Sequence, residues 1–204
     1  MIRNIIFDLG NVLLTWKPEE YLINNGYSEE ERKLILDDVF RSSEWLALDN
    51  GDLTVGEAVE RISARSSLKR GEIYAVFDLR TKILSPIARN TKMVPALKKA
   101  GFRVFYLSNF PADIFDEVVA RYDFFEHFDG GFISAHARSS KPEEKIFRLL
   151  LETYSLKPEE SLFIDDTHIN AVSAGNIGIS VIHLRDPRDL KTEIENLLGL
   201  KIEV

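Results

Sequence analysis

Asn4-Ile5-Ile6-Phe7-Asp8-Leu9-Gly10-Asn11-Val12 sets a short apolar run directly before a carboxylate and then a glycine. Runs of this length and composition suit strands buried on both faces of a parallel sheet. Similar runs recur at 102–107 (Phe-Arg-Val-Phe-Tyr-Leu), 131–134, 161–164 and 180–183. Helical spacing fills the intervals. Residues 93–100 stop at Gly101, and 111–121 put Ile114, Val118 and the following Tyr122 on one face. Residues 142–154 carry Pro142 in what reads as a first turn, where proline is tolerated. Residues 169–176 and 189–198 complete the set. Alternating strands and helices predict an α/β fold with a doubly wound, Rossmann-like parallel sheet.

One interval breaks that rhythm. Asp8 and Ser108 lie 100 positions apart, whereas a strand–helix–strand unit needs roughly 30. The excess has helical spacing at 21–23, 29–40, 54–63 and 72–84. Ser28 and Thr54 each precede a glutamate by three positions, Glu31 and Glu57, which is the pattern of a capping box. The expectation is an α-helical cap domain over residues 15–88, inserted into a core made of 1–14 and 89–204.

Composition narrows the function classes. The chain has 204 residues, 45% apolar and 29% charged, with no cysteine and a net charge of −7. Disulfides and cysteine-ligated zinc are therefore excluded. The acidic balance argues against a nucleic-acid partner. No apolar run approaches the ~18 residues of a membrane span, and 5–7 is too short for the core of a signal peptide. The expectation is a cytoplasmic protein with no membrane partner.

In open α/β sheets, ligands sit at the carboxyl ends of the strands. Asp8 ends the first run, Ser108-Asn109 the second and Asp165-Asp166 the fourth, with Asn170 four positions beyond Asp166. Lys141-Pro142 follows the third. Each has an ordinary structural reading. Asp8 starts a turn, Ser108-Asn109 makes one, Lys141 is solvated, and Asp165-Asp166 caps a helix. The last reading is the weakest, because adjacent carboxylates at one strand end repel each other and a cation relieves the repulsion. All four ordinary events would also have to coincide at successive strand ends.

Together these segments resemble the haloacid dehalogenase superfamily. Phe7 to Leu13 is similar to its first motif, Leu107-Ser108-Asn109 to its second, Lys141-Pro142 with Ile146-Phe147 to its third, and Phe163-Ile164-Asp165-Asp166 with Asn170 to its fourth. The Asp-Leu-Gly-Asn-Val form also resembles a bacterial subgroup of sugar-phosphate phosphatases that includes a glucose-1-phosphate phosphatase. The resemblance implies a Mg²⁺-dependent phosphatase acting on a small phosphorylated metabolite through an aspartyl-phosphate. Asp8 would be the nucleophile, and Asp8, Asp166 and the Gly10 carbonyl would hold the ion. Asp165 would join them directly or through water. Ser108 and the Asn109 amide would bind the phosphoryl oxygens. Lys141 would neutralise transition-state charge and restrain Asp8.

Two positions depart from the family pattern. Gly10 stands where phosphatases of this family carry a second aspartate that protonates the leaving group, help typically worth ~10²–10⁴-fold. Arg138 stands three positions before Lys141, where a glycine is usual. His168 is one replacement proton carrier, against the plainer reading of a solvated histidine in a first helical turn. In the inserted segment, Arg41, Trp45 and Asp49 could meet the leaving group, although the neighbours of Trp45, Leu46 and Leu48, point to packing within the cap. Other chemistry on the same fold stays open. A 2-haloacid dehalogenase needs no metal, which leaves Asp165-Asp166 unexplained. A hexose-phosphate mutase needs the missing acid. A catalytically weakened binding protein would not need Asp8, Lys141 and Asp166 together.

Overall fold

In the computed structural model, which describes residues 1–203, five strands form one parallel sheet. They are β1 (Asn4–Phe7), β2 (Arg103–Ser108), β3 (Gly130–Ile133), β4 (Ser161–Asp165) and β5 (Ser180–His183), in the order β3-β2-β1-β4-β5. Side chains alternate between two buried faces. Ile5 and Phe7 join Val104, Leu162 and Ile164 on one face, while Ile6 joins Phe105, Leu107, Phe147 and Phe163 on the other. Helices cover both faces, as the doubly wound reading requires.

The order places β1 between the two directions of winding, so its carboxyl end is the switch point where α/β sheets open a crevice. Register then decides what meets there. Phe7 is level with Tyr106 and with Ile164. Asp8 therefore emerges between the ends of β2 and β4, beside Ser108 and Asp165.

Between β1 and Leu84 the chain forms short helices: Pro18–Asn24, Glu29–Ile35 with a π-turn at Leu36–Phe40, Ser43–Asp49, Val55–Ser63, Arg70–Asp78 and Arg80–Ile83. They bury an apolar cluster of their own, including Leu22, Val39, Trp45, Ile62, Ile73 and Phe77. Both capping boxes form, with the Ser28 and Thr54 side chains accepting from the backbones of Glu31 and Glu57. The outgoing and returning segments run side by side. The Thr15 N–H donates to the Ser85 carbonyl at 2.8 Å, and that of Ile87 to the Leu13 carbonyl at 2.8 Å.

The elements differ from the sequence expectations at informative places. The helix expected from Pro142 begins at Glu144. Residues before it form a turn, with the Glu143 N–H donating to the Ser140 carbonyl, and this turn directs Lys141 inward. The Ser43–Asp49 helix was not expected. Its apolar run Trp45-Leu46-Ala47-Leu48 hides the period because Leu46 faces solvent while Trp45 and Leu48 are buried.

Candidate active site

A cavity of about 240 Å³ lies over the carboxyl ends of β1, β2 and β4. Asp8, Ser108, Asn109, Lys141, Asp166 and Asn170 all line it, together with Gly10. The sheet register thus brings together residues from four separate segments. Asp165 lies beneath them, fully buried.

Lys141 is the centre of the charge arrangement. Its Nζ is 2.9 Å from Asp8 Oδ1 and 2.6 Å from Asp165 Oδ2, with its side chain 1% exposed. Burial alone would lower the Lys141 pKa, but the two carboxylates outweigh it and hold the ammonium above its ordinary value. The Asn109 side chain fixes the backbone there. Its Oδ1 accepts from the Lys141 N–H at 2.8 Å, and its Nδ2 donates to the Lys141 carbonyl at 2.9 Å.

Asp8 Oδ1 is committed, accepting from the Leu9 N–H at 2.7 Å and the Ser108 hydroxyl at 2.7 Å as well as facing Lys141. Oδ2 accepts no hydrogen bond from any described residue. Burial pushes the Asp8 carboxyl up to about 6; Lys141 and Ser108 oppose the rise, whereas Asp165 and Asp166 add to it. Asp165 is saturated. Oδ1 accepts from the Thr167 N–H and Asn170, and Oδ2 from Lys141 and Asn170. Asp166 accepts from Asn11 at 3.0 Å, and its carboxyl is also raised, chiefly by burial.

Oxygens of Asp8, Asp165 and Asp166 lie within 4.8 Å of one another. One ammonium cannot balance three carboxylates, and this surplus of hard oxygen donors suits a small divalent cation. The hydrogen bonds of Asp165 tie it to Lys141 and Asn170 and leave Asp8 and Asp166 as the open donors. Ser108 and Asn109 both stand at the cavity, each with its side chain engaged by a neighbouring site residue. The hydroxyl meets Asp8 and the side-chain amide meets the Lys141 backbone, which leaves the Asn109 backbone N–H without a described partner.

Several outlying candidates are also resolved. Arg138 is exposed, with φ 46° and ψ 46°. A left-handed backbone favours glycine and is strained for arginine, so the usual glycine there answers a backbone demand. His168 is exposed and packs edge-on to His183 at 5.2 Å, outside the cavity lining. Arg41 turns to Asp37 at 2.9 Å. Trp45 and Asp49 do line the cavity.

Sequence reasoning passed over Asn11 and Trp16. Asn11 adopts φ 51°, donates to Asp166 and accepts from the Trp16 N–H at 2.9 Å. Its signal was the residue type, since asparagine tolerates the left-handed region. Trp16, in the segment before the Pro18–Asn24 helix, packs on Trp45 at 5.5 Å between ring centroids, a contact that no local spacing announces.

Comparison with known proteins agrees with this geometry. The family model for haloacid dehalogenase-like hydrolases matches residues 2–178. The sesquiterpene phosphatase astK of Aspergillus oryzae is 28% identical over 95% of this chain and 95% of its own. A predicted HAD-like family hydrolase from Porphyromonas gingivalis superposes with a TM-score of 0.74 at 24% identity, covering 97% of this chain and 98% of that one. The HAD family enzyme bt-2542 from Bacteroides thetaiotaomicron, in complex with magnesium and inorganic phosphate, superposes with a TM-score of 0.67. It is 25% identical and covers 89% and 93% of the two chains.

Proposed function

The chain belongs to the haloacid dehalogenase-like hydrolases, and we propose that it is a Mg²⁺-dependent phosphatase of small phosphorylated metabolites. The observation that carries this reading is the buried Lys141 held between Asp8 Oδ1 and Asp165 Oδ2, with Asp8 Oδ2 left free at the cavity. In this reading Asp8 Oδ2 attacks phosphorus in line, the bond to the leaving oxygen breaks, and water later cleaves the aspartyl-phosphate. Lys141 keeps Asp8 ionised and oriented and offsets charge on the phosphoryl oxygens. The Asn109 backbone N–H supplies a donor. The Ser108 hydroxyl, now on Asp8 Oδ1, lies close enough to serve either group.

Asp8, Asp166 and the Gly10 carbonyl would hold Mg²⁺, with Asp165 acting through its hold on Lys141. When bound, the ion neutralises phosphoryl charge that would otherwise repel Asp8. The third carboxylate supports this reading over dehalogenation, which gives Asp166 no task. The solved bt-2542 complex with magnesium and phosphate supports it from a related fold. Residues 15–88 serve as the cap that closes the site.

The leaving group is read from the wall facing the phosphoryl end. Trp16, Trp45, Leu84, Phe110 and Ile114 make that wall predominantly apolar. Asn11 and Thr167 are engaged with Asp166. A sugar phosphate, implied by the sequence resemblance, needs several hydroxyl partners, and this wall offers few. An alkyl or prenyl monophosphate suits it better, in keeping with the sesquiterpene phosphatase relative. Phosphate release from a prenyl monophosphate and from glucose 1-phosphate, with and without Mg²⁺, tests both levels. No release from either with Mg²⁺ would overturn the phosphatase reading. Preference for the sugar would overturn only the apolar one.

A further inference from the structure

We propose that Asp49 donates the proton to the departing oxygen, in place of the aspartate that Gly10 lacks. The inference rests on the phosphatase reading above. Four carboxylate or ammonium side chains line the cavity: Asp8, Asp49, Lys141 and Asp166. Three of them cluster at the phosphoryl end, where Lys141 meets Asp8 and Asn11 meets Asp166. Asp49 comes from the inserted segment instead, beside the apolar wall that would receive the leaving group. It makes no ion pair among the described residues.

The backbone of Asp49 is docked to the core. The Ser134 hydroxyl donates to the Asp49 carbonyl, and Ser134 Oγ in turn accepts from the Phe110 N–H at 2.9 Å. Phe110 directly follows Ser108-Asn109. One hydroxyl thus registers Asp49 against the loop beside Asp8. Two residues on, Gly51 has φ 73°, and a Cβ there would lie 2.7 Å from the Ala135 carbonyl oxygen. That close approach explains a glycine at this position.

The surroundings suit an acid. Burial pushes the Asp49 carboxyl up to about 7, against the lowering effects of the Trp45 indole and Arg80, while Asp113 raises it further. Arg80 is spent on Asp113, which it grips at 3.0 and 2.6 Å, so it is not free to hold Asp49 ionised. A carboxyl with a pKa near the working pH is the best placed to give and retake a proton.

The step balances. Asp8 Oδ2 forms a bond to phosphorus, and the electron pair of the breaking P–O bond passes to the departing oxygen. That oxygen takes the proton of Asp49, leaving as the alcohol and leaving Asp49 as a carboxylate. Asp49 then takes a proton from the water that attacks the aspartyl-phosphate, and Asp8 leaves as a carboxylate.

The test compares kcat/KM of the Mg²⁺-loaded wild type, Asp49→Asn and Asp49→Glu on 4-nitrophenyl phosphate and on an alkyl monophosphate. The ratio kcat/KM reports steps up to alcohol release. Asp49→Asn should lose ~10²–10⁴-fold on the alkyl ester, and less than about tenfold on the nitrophenyl ester, whose phenolate departs unaided. It should also lose the basic limb of the kcat/KM pH profile. Asp49→Glu should restore part of the alkyl activity and that limb. Equal losses on both esters, or a basic limb retained in Asp49→Asn, would overturn the assignment. If the wild type releases phosphate from neither ester with Mg²⁺, the phosphatase reading itself fails and this one falls with it.

Discussion

Replacing Lys141, whose Nζ lies 5.3 Å from the Phe163 ring centroid, by methionine removes the one cation buried among three carboxylates while keeping a side chain of similar length. The Lys141 side chain is 1% exposed and those of Asp165 and Asp8 are 0% and 10%. At 2.6 and 2.9 Å, each attraction is roughly 6 kcal/mol in an effective dielectric of about 20. Desolvation of each ion offsets several kcal/mol of that gross attraction, so the intact cluster is close to neutral for stability. Deleting one partner is different, because the carboxylates stay buried and lose their counter-charge. The expected loss is ~3–5 kcal/mol, or a fall in Tm of roughly 6–20 °C for a domain of this size. Urea unfolding in the presence of a chelator measures it. Lys141→Met combined with Asp165→Asn removes one charge of each sign and should recover about half of the loss. A single variant within ~1 kcal/mol of wild type, or a double variant no better than the single, would refute the argument that this lysine balances the cluster.

Other perturbations separate the parts of the site. Asp8→Asn should abolish Mg²⁺-dependent phosphate release with an unchanged circular dichroism spectrum, because its free Oδ2 is the attacking atom in the proposed reaction. Exhaustive chelation should stop phosphate release and added Mg²⁺ should restore it; full release without divalent metal would refute the role given to Asp166 and the Gly10 carbonyl. Gly51→Ala should cost ~1–3 kcal/mol for its left-handed backbone alone, and its contact with Ala135 should raise KM by loosening the cap. Gly10 has room for a side chain, since an added Cβ would meet only the Trp16 Cβ at 3.8 Å. Gly10→Asp introduced into Asp49→Asn should therefore restore turnover of alkyl phosphates, as measured by alcohol release.

Much of the core was legible because its information is local. Apolar runs named the strands, and polar residues at their ends named Asp8, Ser108, Lys141 and Asp165-Asp166. The capping boxes at Ser28 and Thr54 were legible for the same reason, since three residues suffice to write them. What the sequence concealed depends on contacts between distant segments. Nothing near Asn109 says that its amide will clamp the Lys141 backbone 32 residues away. The Ser43–Asp49 helix was hidden because Leu46 faces water, although Ser42 offers an N-cap and accepts from the Trp45 N–H at 3.1 Å. That helix supplies both Trp45 and Asp49 to the cavity.

The contacts joining cap and core are not equivalent, and their differences bear on how a substrate enters. The Arg80 side chain is 5% exposed and pairs with Asp113 on the Ala112–Arg121 helix. Separating it from Asp113 would break a two-point ion pair whose guanidinium also donates to the Phe77 carbonyl at 2.7 Å. Arg80 lies five residues before Ser85, whose N–H and carbonyl pair with Thr15 on the outgoing segment. Paired segments and buried ion pair together make one stiff edge. The Asp49 carbonyl and Gly51 meet Ser134 and Ala135 through one hydroxyl bond and a close backbone contact, groups that water can satisfy at small cost. In the proposed reading of residues 15–88 as a cap, opening is expected to pivot about Thr15, Ser85 and Arg80 and to part first at Asp49. Opening there would separate Asp49 from the phosphoryl end, and closure would return the proposed acid to the leaving group.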